Sequence, residues 1–118
     1  MPVPTEIRLD RAARVLHVTF NDGAHYALPA EYLRVESPSA EVQGHGPDQK
    51  TIVGGKQKVG IGAVEPVGHY AVRLVFDDGH DTGIFSWDYL AELGREQDRR
   101  WAAYLDALAS RGLSRDPK

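Results

Sequence analysis

The chain has 118 residues, of which 42% are hydrophobic and 26% charged, so we expect one globular domain with a single core. The formal net charge of −3 disfavours nucleic-acid binding, which depends on basic clusters that displace counterions from phosphates. There is no Cys, no signal-peptide apolar region and no apolar run of membrane-spanning length, which together indicate a cytoplasmic protein without disulfides or a membrane partner.

The N-terminal part predicts three short strands and a helix. Apolar residues recur at strand spacing in three segments, at residues 7–9, 15–20 and 25–28. Asn21-Asp22-Gly23 predicts the turn between the second and third strands, because Gly tolerates positive φ and Asp can bind its own backbone. Pro29 suits the start of a short helix that carries Tyr32 and Leu33.

A long irregular segment, Glu36 to Gly55, separates this part from the next strand at 58–67. It is rich in Ser, Pro and Gly, and loops of this length in compact domains tend to be functional or mobile. Just before it, Arg34 is expected to face solvent or to pair with Glu36 or Glu41.

The stretch from Tyr70 to Leu90 predicts a strand, a tight turn at Asp78-Gly79, a second strand, and a helix capped by Ser86. It repeats the pattern of the N-terminal part, with one residue inserted. A duplication and two independent hairpins that obey the same physics both account for this likeness. We expect the two ribbons to share one sheet.

The C-terminal part predicts two helical segments. The first ends near Leu93 with Gly94 as its C-cap, and the second covers 96–111. Four residues of the second fall on one helical face and are expected to be buried: Trp101, Tyr104, Leu105 and Leu108. The ends of the chain, 1–4 and 113–118, are expected to fray.

These elements predict a single α+β domain over residues 1–118. It is mostly an antiparallel β-sheet built from two hairpin units, with a short helix after the first unit and a C-terminal helical segment packed on the sheet.

Two runs, VEPVGHYAV and DGHDTGIFSW, together with LRVESPSAEV, resemble the gamma-butyrobetaine-hydroxylase-like N-terminal domain family. The resemblance extends from about Ile7 to Leu108. It implies a small α+β domain that occurs alone in bacteria, in front of Fe(II)/2-oxoglutarate hydroxylases of carnitine synthesis, and on P-loop scaffold proteins of iron–sulfur cluster assembly. In the hydroxylases this domain is not the catalytic one.

The resemblance also implies a zinc site, which in the hydroxylases uses three Cys after a Leu-Arg pair and one later His. The Cys positions fall here on Ser37, Ser39 and Val42, and the His corresponds to His80. A structural zinc site needs four thiolate or imidazole ligands. We therefore expect the family zinc to be lost and no cofactor to be present.

His80 remains a candidate metal ligand, with His45, Glu41 and Asp81 as possible companions for Fe(II) or Zn(II). The alternative is that His80 is a partly exposed turn residue bonded to loop backbone. Ser37 and Ser39 have no base at motif spacing, which disfavours nucleophilic catalysis.

A non-catalytic interaction module is the first functional hypothesis. It would contact a protein partner, or a second copy as a homodimer, through a sheet edge or the long loop. The loop residues proposed for this contact are Ser37, Ser39, Gly44, His45 and Gly46. The alternative is a metal-binding accessory protein linked to iron or iron–sulfur cluster handling, and a small enzyme ranks third.

Overall fold

A computed structural model describes residues 2–44 and 49–117 of the chain. In chain order its elements are β1 (Pro4–Asp10), β2 (Val15–Phe20), β3 (His25–Pro29), α1 (Ala30–Val35), α2 (Ala40–Gln43), β4 (Ile61–Val67), β5 (Ala71–Phe76), β6 (Gly83–Ser86), α3 (Trp87–Arg95) and α4 (Gln97–Ser110). Within these described ranges, every helix is too short or too polar to cross a membrane.

The six strands form two three-stranded antiparallel sheets, ordered β1-β2-β3 and β4-β5-β6. The expectation that both ribbons share one sheet is therefore wrong. Alternation of apolar residues specifies which face of a strand is buried, but it does not specify which strands pair across a long connection. The α+β class is confirmed, with a short helix after the first unit and a C-terminal helical segment packed on the β-structure.

Both sheets turn their apolar faces toward one core. Leu16, Val18 and Leu28 from the first sheet lie in the same buried cluster as Leu74 and Phe85 from the second. Helices α1 and α3 close this core with a further set of buried residues: Tyr32, Leu33, Leu90, Ala91 and Leu93. The outward faces of the sheets carry the polar residues of the alternating pattern.

Strands β1 and β4 are outer strands of their sheets, and each carries a proline and a register shift. Pro4 opens β1 and the shift follows it, whereas Pro66 lies near the end of β4 and the shift lies near its start. Prolines and bulges on outer strands hinder pairing with another chain. These two edges are therefore poorly suited to add a strand from a partner.

The turn and cap signals in the sequence correspond to the observed backbone. Gly23 and Gly79 adopt φ values of +87° and +92° in the two hairpin turns, a region that favours Gly. Ser86 caps α3, because its Oγ accepts a hydrogen bond from the Tyr89 N–H at 3.1 Å.

Gly94 does not end a helix, contrary to expectation. It lies inside α3, which continues to Arg95. A Cβ atom at Gly94 would stand 2.3 Å from Cγ of Tyr26. The residue is small because the helix must approach the Tyr26 ring, not because the chain turns there.

Replacing Gly94 by Ala should therefore lower the free energy of unfolding by about 1 to 3 kcal/mol, because the Tyr26 ring must move. The higher helix propensity of Ala contributes about 1 kcal/mol in the opposite direction, which is less than the cost of moving the ring. Urea denaturation measures the change. In a Tyr26→Ala background the same substitution should become neutral or stabilising. A destabilisation that persists without the Tyr26 ring would contradict this account.

Although the sequence predicts a frayed end at 113–118, hydrogen bonds connect residues 114 and 115 to the rest of the domain. The Gly55 N–H donates to the Ser114 carbonyl at 2.8 Å. The Arg115 guanidinium binds both carboxylate oxygens of Glu31, at 2.8 and 2.9 Å. At the N-terminal end, Pro4 already belongs to β1.

Candidate functional site

Two segments that are distant in sequence meet between α2 and the β5–β6 turn. Oγ of Ser37 lies 2.9 Å from Nε2 of His80, although 43 positions separate them. Ser37 is fully buried and His80 is 6% exposed. The alternative that His80 is a partly exposed turn residue is therefore wrong, because the side chain is buried. His80 connects the β5–β6 turn to the segment before α2 through this hydrogen bond.

The polar groups around this contact form what we call the Ser37–His80 network, defined as Ser37, Ser39, Glu41, His80 and Thr82. Nδ1 of His80 lies 3.2 Å from a Glu41 carboxylate oxygen, and the Thr82 hydroxyl donates to the same carboxylate at 2.9 Å. Oγ of Ser39 lies 2.7 Å from Oγ1 of Thr82. One placement of hydrogens satisfies all these contacts, with a neutral His80 that donates from Nδ1 and accepts from Ser37 at Nε2.

Burial favours the neutral form of His80. Burial, followed by the nearby Arg34 charge, lowers the pKa of His80, although Glu41 and Asp78 act in the opposite direction. Neutral imidazole is the form that can accept the Ser37 hydrogen. The network is thus complete at neutral pH.

Asp78 is the centre of a neighbouring ion cluster. Its carboxylate accepts from Nε of Arg34 at 2.8 Å and from Nζ of Lys56 at 2.6 Å, and the His80 N–H donates to it at 3.1 Å. Burial alone would raise the pKa of Asp78, but these contacts outweigh it and lower the pKa to about 2. Arg34 thus pairs with Asp78. The predicted alternatives, a solvent-facing Arg34 or a pair with Glu36 or Glu41, are wrong.

Of the four proposed metal ligands, two come together. His80 and Glu41 are in contact, whereas the Asp81 carboxylate lies 3.4 Å from Nη1 of Arg73. His45 lies outside the described residues. In ranges 2–44 and 49–117, no three His, Cys, Asp or Glu side chains are grouped to hold a metal ion.

The residues at the family's zinc positions do not fit zinc. Ser37 and Ser39 offer neutral hydroxyls and Val42 offers a methyl group, none of which is a usual zinc ligand. Both ring nitrogens of His80 are already engaged, by Ser37 and Glu41. The donor set holds hydrogen bonds instead of a cation.

Two of the five residues proposed for partner contact, both serines, are buried. Ser37 and Ser39 are 0% and 7% exposed, and their hydroxyls face the network. Gly44 ends α2 with φ +68° and packs closely against Gln49. His45 and Gly46 lie outside the described residues. Contact through the two serines would require this segment to open.

The side chains of Ser37, His80 and Glu41 are arranged in space like the nucleophile, base and orienting carboxylate of a catalytic triad. Sequence spacing missed this base because it lies in another hairpin. However, a Cβ atom at Gly83 would stand 2.5 Å from Oγ of Ser37, so Gly83 backbone lies directly against the hydroxyl. No substrate carbon can approach a fully buried and covered Oγ, and we interpret the arrangement as structural.

Replacing Ser37 by Ala should lower the free energy of unfolding by about 1 to 2 kcal/mol, because Nε2 of His80 would be buried without a donor. Thermal and urea denaturation measure the loss. Ser110→Ala is the matched control, since Ser110 is exposed on α4. Equal stability of the two variants would count against a structural role for the network.

A groove between α1 and α4 is a second candidate site. The sequence pattern predicts that its side chains Trp101 and Leu105 are buried in the core. The groove has a volume of about 440 Å³ and is lined by Tyr32, Trp101 and Leu105, with Glu31 and Arg115 beside them. Tyr104 and Leu108 are buried as expected, but Leu105 is 39% exposed. The Arg115 guanidinium lies over the Trp101 ring, 5.3 Å from its centroid. The base of the groove is therefore aromatic, formed by Tyr32 and Trp101, and one side is charged, formed by Glu31 and Arg115.

Comparison with known proteins gives a consistent result. A family model described as gamma-butyrobetaine hydroxylase-like, N-terminal, matches residues 7–91. One solution NMR structure is 53% identical with a TM-score of 0.86 and covers 100% of this chain and 93% of its own. A second NMR structure is 47% identical with a TM-score of 0.85, covering 99% and 87% respectively.

A crystal structure from Acidithiobacillus ferrooxidans is also similar, and is described as a protein of unknown function in the DUF971 family. It is 47% identical, with a TM-score of 0.66, and covers 77% of this chain and 91% of its own. A search among curated proteins finds no match. The family match and the crystal structure agree with the resemblance carried by the sequence motifs.

Proposed function

Because the chain belongs to the gamma-butyrobetaine hydroxylase-like N-terminal domain family, we propose that it is a non-catalytic module that binds a protein partner through the groove between α1 and α4. The observation that carries this proposal is the groove itself, where Leu105 and Trp101 line an opening of about 440 Å³. We place the encounter in the cytoplasm, as the sequence predicts.

The chemistry of the groove suits an apolar side chain of a partner. Aromatic residues in well-packed pockets, surrounded by polar groups that exclude water, are typical centres of binding energy. Here the Trp101 ring meets Tyr32 edge-on at 6.3 Å, so that the base of the groove is fixed before binding. Asp98 also lines the groove and would favour a basic neighbour of that apolar side chain.

Other surfaces support a binding role less well. The outer strands β1 and β4 carry prolines and register shifts, and the serines of the Ser37–His80 network are buried. Ile84 is 46% exposed, but it stands on the outer face of a short strand opposite Arg73. In the groove, by contrast, the exposed side chain of Leu105 lies beside the Trp101 ring in a concave surface.

A photocrosslinking residue at position 105, compared with one at position 84, tests the proposal in cells. We expect a defined partner, or a second copy of the chain, to be captured from position 105 only. With that partner purified, Leu105→Glu should weaken binding at least tenfold, whereas Ile84→Glu should leave it unchanged. Equal capture at both positions, or unchanged affinity of Leu105→Glu, would refute the groove as the contact.

A second candidate function is cation binding linked to iron or iron–sulfur handling. It is favoured by the contact of His80 with Glu41, at 3.2 Å, which brings an imidazole beside a carboxylate, and the cation would have to displace the hydrogen between them. Elemental analysis of untagged protein, followed by titration with Fe(II) and Zn(II), tests it through the ring resonances of His80. Stoichiometric metal with shifts at His80 would support it, and unshifted His80 resonances would reject it.

A further inference from the structure

We infer that His17 and His25, on the outer face of the β1-β2-β3 sheet, form a binding site for a divalent transition-metal ion such as Zn²⁺. Nδ1 of His17 lies 3.3 Å from Nε2 of His25, and the two rings are stacked with centroids 5.4 Å apart. This inference depends neither on the groove nor on the Ser37–His80 network, because it uses different residues.

The register of the strands explains why the two rings meet. Thr19 is directly opposite His25 on the neighbouring strand, and His17 is two residues before Thr19. Alternate residues of a strand point to the same side of a sheet, so that all three side chains share the outer face. His25 is exposed and His17 is half-buried, which leaves the pair open to solvent ions.

The separation of the two nitrogen atoms matches that of neighbouring ligands on tetrahedral zinc. Two imidazole nitrogens at about 2.0 to 2.1 Å from zinc stand about 3.3 Å apart when the angle at the metal is tetrahedral. The observed 3.3 Å therefore needs little movement of the strands. The two ring nitrogens now face each other along the hydrogen bond, so each ring must turn by roughly 35° for both lone pairs to meet at the ion, and water would complete the coordination.

Thr19 supplies the partner that orients His25. Its Oγ1 lies 2.9 Å from Nδ1 of His25. A ligating imidazole usually donates its other N–H to such an acceptor, which fixes the tautomer and the ring plane. With the hydrogen of His25 on Nδ1, its Nε2 keeps a lone pair for the metal.

Metal binding requires only a change of tautomer at His17. In the neutral pair one hydrogen lies between Nδ1 of His17 and Nε2 of His25. The ion takes its place, and His17 carries its hydrogen on Nε2 instead, so that no net proton is released. Arg8 and Glu6 lie opposite His17 and Thr19 on β1, and their charges offset each other.

Titration of the untagged full-length chain with ZnCl₂ at pH 7.5 tests the inference, with MgCl₂ as the oxygen-preferring control ion. We expect one equivalent of Zn²⁺ to shift the ring ¹⁵N resonances of His17 and His25, and Mg²⁺ to shift neither. His17→Gln and His25→Gln should each weaken binding at least tenfold by calorimetry. His69→Gln is the matched control, because His69 is exposed outside the pair and should leave affinity unchanged.

Two further measurements separate this site from other outcomes. Affinity should fall as the pH is lowered, because protons compete with the ion for the imidazole nitrogens. Thr19→Val should weaken binding several-fold and mix the two tautomers of His25 in the ¹⁵N spectrum. Unshifted His17 and His25 rings at millimolar Zn²⁺, or binding that is lost in His80→Gln but kept in His17→Gln, would overturn the inference.

Discussion

Replacing Asp78 by Asn should lower the free energy of unfolding by about 2 to 3 kcal/mol at pH 7, the largest loss expected from one polar substitution here. The Asp78 carboxylate is the shared partner of Arg34 and Lys56. Within the described residues, Nη1 of Arg34 is already buried without a hydrogen-bond partner. Removing the Asp78 charge would leave a largely buried guanidinium with no opposite charge in contact.

The pH dependence distinguishes this effect from a loss of packing. The pKa of Asp78 falls from 3.8 to about 2 on folding, so its contribution is complete above pH 4 and disappears as the pH falls toward 2. His80 acts in a different window. Its pKa is lowered, so the unfolded chain takes up the proton first and stability declines as the pH falls below about 6.5. Asp78→Asn should remove the loss of stability at the acidic end, where Asp78 is protonated, and should leave the loss below about pH 6.5 that His80 causes.

Asp81→Asn is the matched control for this experiment. Asp81 also faces an arginine, but its side chain is 53% exposed and the pair lies at the surface. Exposed ion pairs contribute about 0 to 1 kcal/mol. Urea denaturation from pH 2.5 to 8 should therefore separate the two variants clearly. Similar losses in both, or an unchanged acid limb in Asp78→Asn, would show that the cluster does not act through charge.

Local signals in the sequence predicted the elements well, because the relevant physics is local. The Asp-Gly turns and the Ser86 cap depend on residues within a few positions of one another. Gly94 shows the limit of this reasoning. Its position after an apolar helical run is typical of a C-cap, and only the approach of Tyr26 from β3 reveals the other reason for a glycine.

The sites were less predictable because they are assembled from distant parts of the chain. The pairing of Arg34 with Asp78 spans two hairpin units, and nearer acidic residues were the obvious candidates. The contact of Ser37 with His80 was not predicted, although the family resemblance aligns both residues with metal ligands. Leu105 fell on the same helical face as Tyr104, and its exposure depends on how α1 and the tail flank the helix.

The resemblance also leads to a prediction with a gain of function. A variant with Ser37→Cys, Ser39→Cys and Val42→Cys should bind one Zn²⁺ per chain, with His80 as the fourth ligand. Structural zinc sites of this kind have apparent binding free energies of about 10 to 16 kcal/mol in small peptides. The variant should therefore gain a thermal midpoint that rises with Zn²⁺ and falls on chelation. The comparison is made in a His25→Gln background, which removes the proposed His17–His25 site, so that chelation should leave the midpoint unchanged when the three cysteines are absent.

The geometry sets what must move. Oγ of Ser37 and Nε2 of His80 are 2.9 Å apart, whereas a thiolate and an imidazole on one tetrahedral zinc stand about 3.5 Å apart. The α2 segment and the β5–β6 turn must therefore separate by roughly half an ångström, and Nε2 of His80 must exchange the Ser37 hydrogen for the metal. His80 can keep its Nδ1 hydrogen on Glu41, which is the second partner that a zinc-bound imidazole needs. Adding His80→Ala to the three cysteines should weaken zinc binding at least tenfold and change the visible spectrum of the Co²⁺ form. Zinc content no higher than that of the wild type would mean that the scaffold, and not only the sulfur atoms, has departed from the family's metal site.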